Sequence, residues 1–188
     1  MNLSSQLMGR LALICLAAGL LQIAAVSQVT VLGVRADLTP LVVTSVGLLC
    51  GSVAGALVGF GLGLFVDVAL LQTLGISSLI LLSVGYGAGR LRELRDPAHA
   101  LTPVAVGAAG TAAAAIGFSL MQFLLGVNAP VSLLLIREIL ATIVLNAVLA
   151  LPVFALIRRV LLPLLPGDPR RRRRRAYMTG GLSPISRA

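Results

Sequence analysis

LTPLVVTSVGLLCGSVAGALVGFGLGLFVDVALL, residues 38 to 71, holds one charged side chain, Asp67, in 34 positions. Read as a single helix it would reach about 51 Å at ~1.5 Å per residue, far beyond the ~30 Å hydrocarbon core of a bilayer. Read as two helices it gives two short ones, joined by a tight turn near Gly51-Ser52. The choice between these readings decides the fold.

The solvent comes first. Of the 188 residues, 58% are hydrophobic and 11% charged, and mean hydropathy is +1.03. These values lie outside the range of soluble domains and call for a membrane. The length suffices for one membrane domain without a second folded unit. Around the 38–71 segment the other apolar stretches are 11–33, 76–91, 101–125 and 133–163.

The arginines choose between the two readings. All 15 basic residues are arginine, against six acidic ones, and loops rich in arginine stay cytoplasmic. Six spans put Arg10, the loop with Arg90, Arg92 and Arg95, and the tail from Arg158 onward on one side, leaving Arg35 and Arg137 outside. Five spans would put the Arg90 loop and the tail on opposite sides. The sequence therefore predicts an all-α bundle with spans near 11–33, 38–51, 52–71, 76–91, 101–125 and 133–163, and both termini in the cytoplasm. A basic tail, 166–188, is expected to be disordered. The N-terminal run is longer than a signal-peptide core and reads as a retained span.

Helix ends have local signals. Asp37-Leu38-Thr39-Pro40 and Thr102-Pro103 place a capping side chain before a proline at the first helical position. Pro152 falls inside the last span, where a kink is expected. Cys15 and Cys50 sit in apolar segments without partner ligands and read as small packing residues.

Glycines recur at 47, 51, 55, 59 and 63, and the next step of four is Asp67. In lipid, small residues carry helix packing because backbones can touch there. Gly51, Gly55, Gly59 and Gly63, with Gly85 and Gly89 in GYGAG, are thus packing or partner-interface candidates, and a homodimer stays open. A carboxylate within the bilayer is expensive unless paired. Asp67 falls near the outer end of its span, as does Arg137, so an ion pair between them is allowed; the alternative is that both side chains reach the headgroups.

No catalytic constellation, cofactor motif or metal-ligand set is expected. His99 sits in a polar loop without a nucleophile. Glu93 and Asp96 alternate with Arg92 and Arg95 as local ion pairs, and GFGLG belongs to a membrane helix rather than a phosphate loop. Gln22, Gln122 and Asn146 could line a cavity, but amides more often bond neighbouring helices. Arg158, Arg159 and the run Arg170, Arg171, Arg172, Arg173, Arg174 and Arg175 follow a membrane span. That position favours anionic lipid or a cytoplasmic partner over nucleic acid.

RADL at 35–38, AGALVGFGLGLFVD at 54–67, LGISSL at 74–79 and VGYGAGRLRE at 84–93 resemble, in order and spacing, the rod shape-determining protein MreD family. NAVLALPVFALIRR at 146–159 is similar more loosely. The resemblance implies a non-enzymatic scaffold of the cell-elongation machinery in the bacterial inner membrane. It also implies MreC as a partner, with RodA, a class B penicillin-binding protein and MreB in the same complex. The implied fold is the six-helix bundle of energy-coupling-factor substrate-binding subunits. A vitamin-binding subunit of such a transporter is the alternative reading, against which stand 4% aromatic residues and no tryptophan.

Overall fold

The structure is a computed structural model that describes residues 5–26, 30–31, 34–35, 37–94, 102–126 and 133–161. Within them the chain is helical apart from one two-residue ladder and the short connections at Asp37, Gly51, 70–75 and 125–126. The helices are α1 (Ser5–Leu21), α2 (Leu38–Cys50), α3 (Ser52–Ala69), α4 (Ile76–Leu94), α5 (Thr102–Leu124) and α6 (Leu133–Leu161). A π-helical turn, Gln22–Val26, continues α1. β1 (Thr30–Val31) pairs antiparallel with β2 (Val34–Arg35).

The 38–71 segment breaks at Gly51. Its φ of 97° is a left-handed conformation that glycine adopts without a Cβ penalty, and its N–H still bonds to the carbonyl of Gly47 at 2.8 Å. One residue therefore reverses the chain between α2 and α3.

α2 is the centre of the bundle. All but two of its 13 residues are buried, and it touches α1, α3, α4, α5 and α6. At ~1.5 Å per residue it is about 20 Å long, too short to cross a bilayer core by itself. The helices around it carry their apolar side chains outward: Val53, Leu57, Phe60, Leu64 and Val68 form an exposed stripe on α3, opposite its glycines. An exposed apolar stripe at i, i+4, i+7 is what a lipid-facing helix requires. Four segments, Gln6–Ala24, Ser52–Ala69, Thr102–Leu124 and Ile139–Leu161, are long and apolar enough to cross a membrane. This is an all-α membrane protein.

Two local expectations are corrected. The first apolar stretch, 11–33, is not one helix, because the helical path stops at Val26 and Thr30–Val31 enters the ladder. The cap of α2 is Asp37, whose Oδ1 accepts from the N–H of Thr39 at 3.0 Å and from its hydroxyl at 2.6 Å. Pro40 thus occupies the third helical position, where the missing N–H is still one that the helix cannot bond itself. α6 runs unbroken through Pro152.

Candidate functional site

The glycines build a seam inside the chain. α3 and α4 run antiparallel, and Cβ atoms added at Gly55, Gly59 and Gly63 would strike the main chain at Gly85, Leu81 and Ser78 respectively. Gly85 and Gly89 meet Gly55 and Ser52 in return. Gly47 of α2 extends the seam, its added Cβ falling 2.7 Å from the carbonyl oxygen of Gly85. Gly51 belongs to the turn instead. The seam's backbones touch, and this face of α3 is fully used within the chain. A homodimer across this strip would have to separate α3 from α4.

Asp67 ends the seam and is wholly buried. Its Oδ2 accepts from the N–H of Gly75 at 2.8 Å, at the residue preceding α4. A carboxylate there meets the positive end of the α4 dipole. Its main-chain carbonyl accepts from Gln72 at 3.0 Å, so one residue closes the α3–α4 turn twice. Oδ1 of Asp67 and the hydroxyl of Ser78 are buried without a hydrogen-bond partner among the described residues. Arg137 is exposed on α6, and among the described residues it forms no ion pair with Asp67. The expected Asp67–Arg137 pair is corrected accordingly: the charge is met by a helix N-terminus.

A second polar node holds the start of α2. Asn146 of α6 donates from Nδ2 to the carbonyl of Asp37 at 2.8 Å and to the Thr111 hydroxyl oxygen at 3.1 Å. Its Oδ1 accepts from the Asp37 N–H at 3.3 Å. Gln22 Oε1 accepts from the Leu38 N–H at 3.0 Å, and Thr111 donates to the Gly107 carbonyl at 2.9 Å. The first amides of α2, which no helix can satisfy by itself, are thus bonded by side chains. Irregular backbone at membrane depth is tolerated only when protein satisfies it in this way. The amides Gln22 and Asn146 act as interhelical ties.

The opposite end of the bundle is basic. Arg10 Nη1 donates to the Val160 carbonyl at 2.8 Å, a cation on the last turn of α6. Glu93 accepts from the Ser52 hydroxyl at 2.6 Å and from its N–H at 3.2 Å, so α4 caps α3. These bonds, helped by Arg90 at 3.2 Å, hold the Glu93 carboxyl below its ordinary pKa. Arg158 and Arg159 are exposed on the last turn of α6. Arg95, Asp96, His99 and the run Arg170 to Arg175 lie outside the described residues. Among the described residues no group of three His, Cys, Asp or Glu side chains is placed to hold a metal.

The sequence reading missed a groove. α4 and α5 leave between them an open cavity of about 630 Å³, floored by Thr44 of α2. Ala105, Ala109 and Ala113 of α5 are exposed along it, opposite Ser83 and Gly87 of α4. The signal was the four-residue spacing of small residues in α5, which Gly117 continues.

The family model for the rod shape-determining protein MreD matches residues 5–160, and the chain belongs to that family. No curated protein and no solved structure matches it. The family is a shape-determination component, and the match points to no catalytic family.

Proposed function

We infer from this membership that the protein is a non-enzymatic scaffold of the bacterial rod complex, seated in the inner membrane and binding the bitopic protein MreC. Through MreC it would help organise peptidoglycan synthesis by RodA and a class B penicillin-binding protein along MreB. The match over residues 5–160 carries this reading. A bundle closed by its own glycine seam and two polar nodes is consistent with a rigid docking body.

The proposed topology has six passages with both termini cytoplasmic, the short α2 making its passage enclosed by the other helices rather than alone in lipid. In its support, the Arg10–Val160 bond ties the beginning of α1 to the end of α6, so the two helix ends lie at one end of the bundle. Ser52 and Glu93 are tied similarly, and arginine-rich ends stay inside. Reporter fusions at Gly167 and in the 126–132 loop should report opposite faces. A shared face would remove the last crossing, and an external tail would invert the whole arrangement.

Co-purification of the full-length chain from membranes tests the function. Recovery of MreC supports the scaffold. Recovery of an ATPase module or a bound vitamin would instead make this a transporter subunit, a reading that no observation here favours.

A further inference from the structure

We propose that the turn between α3 and α4 sets Leu70, Leu71 and Leu74 into lipid, at the boundary between acyl chains and headgroups on the side opposite the arginine-bearing end of the bundle. The backbone gives the first sign. Leu71 has a φ of 52°, the one left-handed residue other than glycine among the described residues. A bulky side chain is disfavoured in that conformation, which glycine adopts freely. The bundle gains no packing in return, because Leu71 is 93% exposed, with Leu70 and Leu74 beside it at 43% and 66%. Backbone outliers of this kind gather where contacts are made, and the contact open to this side chain lies outside the chain.

Charge and length identify that contact as lipid. No charged residue occurs from Val68 to Gly89, the turn included, whereas the next connection begins with Arg90, Arg92, Glu93, Arg95 and Asp96. A turn made for water has the second composition. Ser52 is held by Glu93 at the arginine-bearing end. From there α3 rises about 27 Å at ~1.5 Å per residue, and any tilt shortens its reach. Against a core of ~30 Å, the hairpin ends at the far edge of the hydrocarbon and not in the water beyond. Leu71 also follows Val68, the last residue of the outward apolar stripe on α3, by three positions, so the lipid contact of that stripe continues into the turn.

The main chain of the turn suits this depth. Irregular backbone does not lie against hydrocarbon with its polar groups unmet. The N–H groups of Leu70, Leu71 and Gln72 bond to the carbonyls of Val66, Val68 and Asp67 at 2.9, 3.3 and 3.0 Å, and that of Gly75 bonds to the Asp67 carboxylate at 2.8 Å. Asp67 thus closes the turn from within while the leucines stay outside. Gln72 and Thr73, the polar side chains of the turn, are exposed and uncharged, which fits the headgroup level. An apolar surface at that level sinks ~5–10 Å into the boundary, and the three leucines supply such a surface.

The chain has no tryptophan, so Leu71→Trp and Leu74→Trp each give a single fluorescent reporter at an exposed position of the turn. Leu64→Trp, two turns back on the stripe of α3, is the deep reference. The full-length variants are reconstituted in mixed phosphatidylglycerol and phosphatidylethanolamine vesicles, with a share of lipid brominated either near the headgroup end of its acyl chains or near their far end. Acrylamide quenches from the water, and dissolved N-acetyltryptophanamide is the free standard. Leu71→Trp and Leu74→Trp should lose most fluorescence to the shallow bromines and be several-fold less sensitive to acrylamide than the standard. Leu64→Trp should respond to the deep bromines instead. Acrylamide quenching of both turn variants equal to that of the standard would put the turn in water and overturn the proposal. Shielding of both from acrylamide and bromine alike would overturn it as well, because a second copy of this chain would then cover the leucines.

Discussion

Asn146 holds both main-chain groups of Asp37, donating to its carbonyl at 2.8 Å and accepting from its N–H at 3.3 Å. One amide side chain thereby stands in for the strand or helix partner that the residue before α2 lacks. Loss of that amide strands a part-buried donor and a part-buried acceptor together, at about 1 kcal/mol or more for each orphaned group. Asn146→Leu should therefore lower the thermal stability of the detergent-solubilised protein sharply. Thr111→Val, which removes the hydroxyl's bonds to Asn146 and Gly107 but leaves both main-chain groups of Asp37 bonded, should cost less, about 1–2 kcal/mol. Equal melting temperatures for the two variants would contradict this ranking.

Asp67 should respond to substitution as a cap rather than as an ion-pair partner. Asp67→Asn keeps an acceptor for the Gly75 N–H and loses only the charge at the helix terminus, so a loss of about 0.3–2 kcal/mol is expected. Asp67→Leu leaves that amide without its acceptor and should be worse. The exchange Asp67→Arg with Arg137→Asp should give no rescue over the single changes, as read from bundle stability. Rescue would restore the ion pair that the geometry lacks.

The seam predicts a contrast along a single helix. Gly59→Ala and Gly63→Ala each place a methyl against α4 backbone, where strain of about 1–3 kcal/mol is usual for overpacking. Gly61→Ala lies two residues away, meets open space, and should be neutral or gain helix propensity. Yield of folded protein and its unfolding temperature separate the two cases.

The Ser52–Glu93 contact gives acid sensitivity at the arginine-bearing end of the bundle. Glu93 has its pKa lowered in the folded state, so its contribution is complete above the ordinary carboxylate range near 4.5. It is lost as pH falls through the lower folded value. Unfolding of wild type should therefore steepen below about pH 4.3 relative to Glu93→Gln. Parallel pH profiles would mean that the contact contributes nothing.

The readable parts of this fold were those governed by spacing and charge. Gly51 could be found because an apolar run too long for one crossing needed a break and the arginines needed an even count. The first helix was read too far because hydropathy does not distinguish helix from ladder. The β-branched residues of VTVLGV at 29–34, with a glycine between them, were the available warning. Asp67 was assigned the wrong kind of partner. A search for an opposite charge passes over a backbone amide eight residues ahead, though the turn residues between them lead back to it. Asn146 stands 109 residues from Asp37, and no local pattern joins positions so distant.

That separation also sets an order of events during synthesis. The bonds completing the start of α2 come from α6, the last of the described helices to leave the ribosome. At ~5–20 residues per second, Asn146 is made on the order of ten seconds after Asp37. Until then the central helix holds only the ties supplied by Gln22 and its own cap. A nascent or truncated chain lacking α6 therefore leaves the main-chain N–H and carbonyl of Asp37, at the entrance to the central helix, without the partner that completes them.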